Sequence, residues 1–181
     1  MKSSVFPMIL TSLCAAIIAV LAQIIIPLPL IPITGQTLAI GLVVTILGLK
    51  HGTYAVLLYI LLGAIGLPVF QSFTGGLGIL FGPTGGYIIG IIPTSFVIGI
   101  YHKKTRLTFT HALVANILGM LVTLAFGAVW LKYLAELSWT GALFSGVIPF
   151  LIVGVIKAIL AAWVGVIVRQ RLEQANILRT I

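Results

Sequence analysis

Acidic side chains are nearly absent from this chain, which carries only Glu136 and Glu173 among its 181 residues. General acid–base catalysis usually draws on carboxylates or on a histidine beside a carboxylate, and neither pattern is present. No nucleophile stands beside a base in the sequence. Three scattered histidines without acidic neighbours do not form a metal-site pattern. We therefore expect no catalytic residues, no metal centre and no cofactor.

Cysteine occurs once, as Cys14 inside the first apolar run, which excludes an internal disulfide. Charged residues make up only 7% of the chain and hydrophobic ones 61%, whereas soluble proteins are about a quarter charged. Long apolar runs recur along the whole chain, so their surroundings must be lipid rather than one large core. The sequence predicts an all-α integral membrane protein.

The net charge of +8 would suggest a nucleic-acid partner in a soluble protein. Here the basic residues stand at the ends of apolar runs, as the positive-inside rule requires, so we expect no nucleic acid. At about 20 residues per crossing, the chain has room for about six helices in a single domain, 1–181, and for no soluble domain. The predicted spans are 6–26, 37–49, 53–67, 84–101, 109–134 and 142–168.

The second and third spans are short and lie next to each other, which predicts a tight helical hairpin closed by a left-handed Gly52. Basic residues follow spans two, four and six and precede span one, so all of them share one side of a six-span protein. We expect that side, with both termini, to be cytoplasmic and the membrane to be the plasma membrane. The residues are Lys2, Lys50, Lys103, Lys104, Arg106, Arg169, Arg171 and Arg179.

Two of the three outer segments have unusual compositions and are expected to be structured. Segment 27–36 holds three prolines among apolar residues, so it should follow an extended path and fold back onto the helices. Segment 68–87 holds six glycines with aromatic residues between them, and it lacks the Gly-Lys-Ser/Thr ending of a phosphate-binding loop. It is either a structural re-entrant loop or a loop that covers a ligand.

Lys157 lies deep in the last apolar run, where an unpaired cation costs about 3 kcal/mol or more. Helical side chains tilt toward the N-terminus, which here points to the outer side. No acidic residue lies within a span, so an external anion such as a substrate carboxylate is one candidate partner. Snorkelling or a backbone carbonyl is the alternative.

Small residues on the first span, Ala15 and Ala19, form a smooth face that allows another helix to pack closely. That helix belongs either to this chain or to a different subunit. Asn116, in span five, is expected to make a hydrogen bond between helices.

Several segments resemble the BioY family, the substrate-binding subunits of energy-coupling-factor (ECF) biotin transporters. They are 32–37 (Pro-Ile-Thr-Gly-Gln-Thr), 66–70 (Gly-Leu-Pro-Val-Phe), 75–78 (Gly-Gly-Leu-Gly), 82–87 (Gly-Pro-Thr-Gly-Gly-Tyr) and 146–158 around Lys157. The similarity covers most of the chain in order, and the Gly-Pro-Thr-Gly-Gly-Tyr element is specific in this context. One departure is Gly154, which stands where the family usually has an Asp three residues before the Lys.

The resemblance implies that biotin is captured from outside by the first loop, the glycine loop and the last helices. Lys157 would meet the valerate carboxylate, and Ala15 and Ala19 would dock on the transmembrane coupling subunit, which works with two cytoplasmic ATPases. The other implied ligand-binding residues are Thr34, Gln36, Phe70, Phe73, Gly76, Gly78 and Tyr87.

The function predicted from these observations is a biotin-binding subunit of an ECF-type vitamin importer. The alternatives are a subunit for another small vitamin or carboxylate, a stand-alone carrier, and a structural membrane protein without a ligand.

Overall fold

The computed structural model describes residues 5–178, which are almost entirely helical. The elements are α1 (Val5–Ala22), β1 (Ile25–Ile26), β2 (Ile33–Thr34), α2 (Gln36–Ala64), a 3₁₀ turn (Gln71–Phe73), α3 (Leu77–Phe81), α4 (Gly85–Lys104), α5 (Phe109–Leu134), α6 (Trp139–Gly146) and α7 (Ile148–Gln174). Within residues 5–178, five helical stretches are long and apolar enough to cross a membrane: α1, α2, α4, α5 and α6–α7 together. The predicted all-helical architecture is confirmed.

Helix α2 contains two of the six predicted spans, because the chain reverses direction at Gly48. The backbone there has φ 74° and ψ −170°, a region open almost only to glycine. As a result Gln36 and Tyr59, which would lie about 34 Å apart along a straight helix, are joined by a hydrogen bond of 2.9 Å. The predicted hairpin is present, but its assignment to Gly52 is wrong. Gly52 is helical and packs against Val44 of the other limb.

The last predicted span, 142–168, is divided into α6 and α7. Val147 leaves the helical conformation two residues before Pro149, whose ring disfavours helix in the residues ahead of it. By contrast, α5 has the bounds predicted from the sequence.

Close helix contacts hold the bundle together. Gly86 and Gly90 let α4 approach Trp130 and Phe126 of α5, since a side chain at either glycine would collide with them. The hydroxyl groups of Thr94 and Thr123 are 2.7 Å apart across the same contact. These two buried hydroxyl groups are thus paired between helices, as an apolar environment favours.

The connections 23–35, 65–84 and 135–138 lie with the short helix α6 at one end of the bundle, which we call the loop end. In the first of them β1 pairs antiparallel with β2 through Ile25 and Thr34, so the chain turns back between these two short strands. It also folds onto the helices, since Ile31 and Ile33 are buried.

Basic side chains gather at the opposite end, which we call the basic end. A cleft there is lined by Lys50, Lys103 and Arg169, together with the reversal at Gly48. Arg169 donates to the Thr45 carbonyl at 3.2 Å and so ties α7 to α2. The predicted orientation also used Lys2 and Arg179, which lie outside the described residues. The clustering agrees with charges on a single side, but which side is cytoplasmic stays a prediction.

Candidate ligand-binding site

Lys157 of α7 reaches the first loop, where its ammonium group finds partners in the chain itself. Nζ donates to the Thr34 carbonyl at 2.6 Å and to the Thr37 hydroxyl at 3.3 Å. Glu173, by contrast, pairs with Arg169 at the basic end. Within residues 5–178 no carboxylate forms an ion pair with this lysine. Of the two alternatives from the sequence, the backbone-carbonyl partner is the one present in this structure.

A cavity opens beside Lys157 and runs from the loop end into the bundle. Its apolar walls come from isoleucines of α2 and α4 and from Met120 and Phe150. The polar and charged side chains in its lining are Thr34, Gln36, Thr37, Gln71, Thr84, Tyr87, Thr94, Asn116, Thr123 and Lys157. One cation among neutral hydrogen-bonding groups and apolar walls suits a largely apolar ligand that bears one carboxylate and a few polar groups.

Gln36, in the first turn of α2, is oriented from two directions. Its side-chain Nε2 donates to the Tyr59 hydroxyl at 2.9 Å, and its backbone N–H donates to the Thr34 hydroxyl at 3.3 Å. Tyr59 is fully buried, so this hydrogen bond supplies a partner for its hydroxyl. The bond therefore fixes Gln36 in the cavity wall.

Tyr87, in the first turn of α4, also lines the cavity. Its hydroxyl donates to the Gly146 carbonyl at 2.7 Å, and its ring lies 5.9 Å from that of Phe150. The break between α6 and α7 lies beside this contact. Tyr87 thereby links the glycine-rich segment to the helix that carries Lys157.

Comparison with known proteins identifies the family. A model of the BioY family matches residues 1–174. The chain is 40% identical over 175 residues to the biotin transporter BioY2 of Lactococcus lactis, covering 97% of this chain and 96% of that one. It is 41% identical over 147 residues to the biotin transporter BioY of Thermotoga maritima, covering 81% and 86%. This chain belongs to the BioY family.

A solved structure is similar across almost the whole BioY chain. It is the S-component for biotin from an ECF-type ABC transporter, with 30% sequence identity, a TM-score of 0.86 and 92% of each chain covered. The resemblance proposed from the sequence motifs is thus confirmed at the level of family and fold.

Four of the predicted ligand-binding residues lie away from the cavity lining in this BioY chain. Phe70 is fully buried and packs on Tyr59, with ring centres 5.6 Å apart. Phe73 is 72% exposed. A side chain built at Gly76 or Gly78 would meet no atom within 4 Å. The ligand role of these four stays a prediction, whereas Thr34, Gln36, Tyr87 and Lys157 are brought together around the cavity.

Several residues of the lining are absent from the site predicted from the sequence, above all Gln71 and Thr84. Both stand in the glycine-rich segment, where the predicted ligand-binding residues included the aromatic residues Phe70 and Phe73. Asn116 makes the predicted hydrogen bond between helices, donating to the Thr45 hydroxyl at 3.1 Å. It lines the deep part of the cavity as well. In the sequence, a polar amide inside an apolar span is the feature that marks Asn116 as a candidate for the cavity lining.

Gly154, where the resemblance led us to expect an Asp, faces α5. A side chain built there would collide first with the sulfur of Met120, which is the flexible part of a long side chain. Met120 and Gly154 both line the cavity. In this chain an apolar thioether therefore occupies the space beside Lys157 that an acidic side chain would enter.

The two small residues proposed for docking on a partner differ in exposure. Ala15 is only 1% exposed and belongs to the apolar core of the chain. Packing within this chain is the alternative that the sequence left open, and docking of Ala15 on another subunit stays a prediction. Ala19 is partly buried against the same core and keeps some free surface.

Proposed function

We propose that this chain is the biotin-binding subunit of an ECF-type importer. The observation that carries the proposal is Lys157, a cation deep in an apolar bundle, held at the wall of a cavity that opens among structured loops. A biotin carboxylate would meet the ammonium group, and the neutral polar groups of Gln36, Tyr87 and Asn116 would face the less charged parts of the molecule. The biotin transporters among its relatives support this choice of ligand.

Binding of labelled biotin to the purified, folded protein tests the proposal. We expect saturable binding at micromolar biotin or below, and competition by unlabelled biotin. A panel of other vitamins and small carboxylates tests the choice of ligand, since a different ligand that outcompeted biotin would reassign the site. If the folded protein bound no biotin at micromolar concentration, the proposed biotin-binding function would be wrong.

The partners proposed for transport are a transmembrane coupling subunit and two cytoplasmic ATPases. Two findings support these partners. The chain belongs to the BioY family, and it is similar in structure to an S-component of an ECF-type ABC transporter. Co-purification from native membranes should bring down ATPase subunits with this chain. Biotin uptake that continued undiminished in cells without those ATPases would favour a stand-alone carrier.

The proposed orientation puts the basic end of the bundle in the cytoplasm and the loop end outside the plasma membrane. Lys50, Lys103 and Arg169 at the basic end support it, because cytoplasmic loops carry an excess of Lys and Arg. Reporter fusions to the two termini should both report a cytoplasmic position. A periplasmic or extracellular signal from either terminus would contradict the proposed orientation, and termini on opposite sides would contradict six crossings.

A further inference from the structure

Gln23, the first residue after α1, uses both ends of its side-chain amide on the glycine-rich segment. Nε2 donates to the Phe70 carbonyl at 2.9 Å and lies 3.3 Å from that of Val69, while Oε1 accepts from the Phe73 N–H at 2.9 Å. Nε2 also lies 3.0 Å from the Ala19 carbonyl in the last turn of α1. Because carbonyls only accept and the Phe73 N–H only donates, these partners define which way the Gln23 amide points.

The turn 70–73, which Gln23 contacts, has a backbone conformation that residues other than glycine rarely adopt. Ser72 has φ 56° and ψ 34°, and Phe73 has φ 54°, both in the left-handed region that disfavours side chains. The ring of Phe73 is mostly exposed, so packing of that ring does little to hold the turn. A conformation of this kind persists when surrounding contacts over-determine it. Gln23 supplies such contacts from outside the turn.

Gln71 stands within this turn and lines the ligand cavity. On one side of it, Phe70 is buried against Tyr59 and its carbonyl accepts from Gln23. On the other side, the Phe73 N–H donates to the same Gln23 side chain. The backbone on both sides of Gln71 is therefore pinned to the end of α1, although Gln23 itself is absent from the cavity lining.

We propose that Gln23 is a positioning residue for ligand binding, acting through Gln71. It holds the turn 70–73 so that the Gln71 side chain faces the cavity beside Thr34 and Lys157. This inference rests on the proposed function, because the ligand in the binding experiments is biotin. The hold of Gln23 on the turn can also be measured without any ligand.

A Gln23→Leu variant keeps the size of the side chain and removes its donor and its acceptor. We expect biotin to dissociate roughly tenfold faster, with a smaller change in the association rate, because most changes within one binding site appear in dissociation. Gln170→Leu is the matched control, since Gln170 is exposed on α7 in the half that leads to the basic end. It should dissociate at the wild-type rate.

Gln23→Glu is a second variant in case the leucine variant does not fold. It keeps an acceptor for the Phe73 N–H but places a carboxylate against the carbonyls of Val69 and Phe70. We expect dissociation at least as fast as in Gln23→Leu. Wild-type dissociation rates in either folded variant would overturn the proposal.

A double-mutant cycle separates positioning from a general loss of structure. If Gln23 acts through Gln71, Gln23→Leu combined with Gln71→Ala should dissociate no faster than Gln71→Ala alone. Effects that simply multiply would show that Gln23 acts independently of Gln71, and the proposal would be wrong.

Hydrogen exchange in the absence of biotin gives the readout that does not depend on function. The Phe73 amide should exchange faster in Gln23→Leu than in the wild type, while amides in the middle of α5 should not change. Unchanged exchange at Phe73 would refute the hold of Gln23 on the turn. If the wild type bound no biotin but Phe73 exchange still rose, the proposed function would fail and the hold on the turn would stand.

Discussion

The Gln36 amide donates to the Tyr59 hydroxyl at 2.9 Å across 23 residues of what is nominally one helix. This contact exists because Gly48 reverses the chain, and it places Gln36 in the wall of the cavity. The backbone conformation of Gly48 thus determines both the shape of α2 and the presence of Gln36 in the proposed site. The first two predictions concern this pair and this glycine.

Gly48→Ala should destabilise the fold. A methyl group at φ 74° and ψ −170° carries a strain of about 1–3 kcal/mol, although the space around it is open. Thermal unfolding of the purified protein in detergent should show a lower Tm. Gly78→Ala is the matched control, because a side chain there meets no atom within 4 Å and its backbone is not left-handed. Equal Tm values for the two variants would contradict the assignment of the reversal to Gly48.

Gln36→Leu should cost about 1–3 kcal/mol of stability, since it leaves the fully buried Tyr59 hydroxyl without its partner. Tyr59→Phe added to it should recover most of that loss, because both polar groups are then removed together. Chemical or thermal unfolding of Gln36→Leu, of Tyr59→Phe and of the double variant measures the difference. A double variant as unstable as the sum of the single variants would show that the bond contributes little.

Lys157→Ala should weaken biotin binding by about 10- to 100-fold, the range expected when a hydrogen bond to a charged group is worth about 1.5–3 kcal/mol. Lys50→Ala, at the basic end, is the control and should bind as the wild type does. Equilibrium binding of labelled biotin measures both. Full affinity in the folded Lys157→Ala protein would remove the lysine from the proposed site.

The methyl ester of biotin separates charge from shape. It lacks the carboxylate charge, so the wild type should bind it more weakly than biotin by a factor comparable with that of Lys157→Ala. The Lys157→Ala protein should bind biotin and its ester about equally, because the partner of the charge is gone. Competition titrations on both proteins give the four affinities. A variant that still preferred biotin would place the carboxylate elsewhere.

The class of fold could be predicted because it depends on composition and on the length of apolar runs, which are local properties of the sequence. The bounds of α5 followed from such a run between polar residues. The position of the reversal, at Gly48 rather than Gly52, could not be predicted from local sequence. Both glycines follow the same apolar run, and only the packing of the two limbs of α2 against each other determines which one reverses the chain. The break at Val147 has a local cause in Pro149, whose ring disfavours helix in the residues before it.

The site could be predicted in part for the same reason. Lys157 stands out in sequence because a cation in an apolar run is costly wherever it faces. Phe70 and Phe73 looked like ligand contacts because aromatic residues recur in the glycine-rich segment, but whether a ring points to core, solvent or cavity depends on a turn with left-handed residues. Gln71 lines the cavity for the same non-local reason.

The carbonyl and hydroxyl that hold Lys157 have a consequence for unloading. When a bound anion leaves, the ammonium group of Lys157 can return to the Thr34 carbonyl and the Thr37 hydroxyl. Release therefore does not leave the Lys157 charge without a hydrogen-bond partner inside the bundle. Binding and release would then each exchange one oxygen acceptor of the ammonium group for another. Under the proposed function, Lys157 would therefore have polar partners both with and without a bound carboxylate.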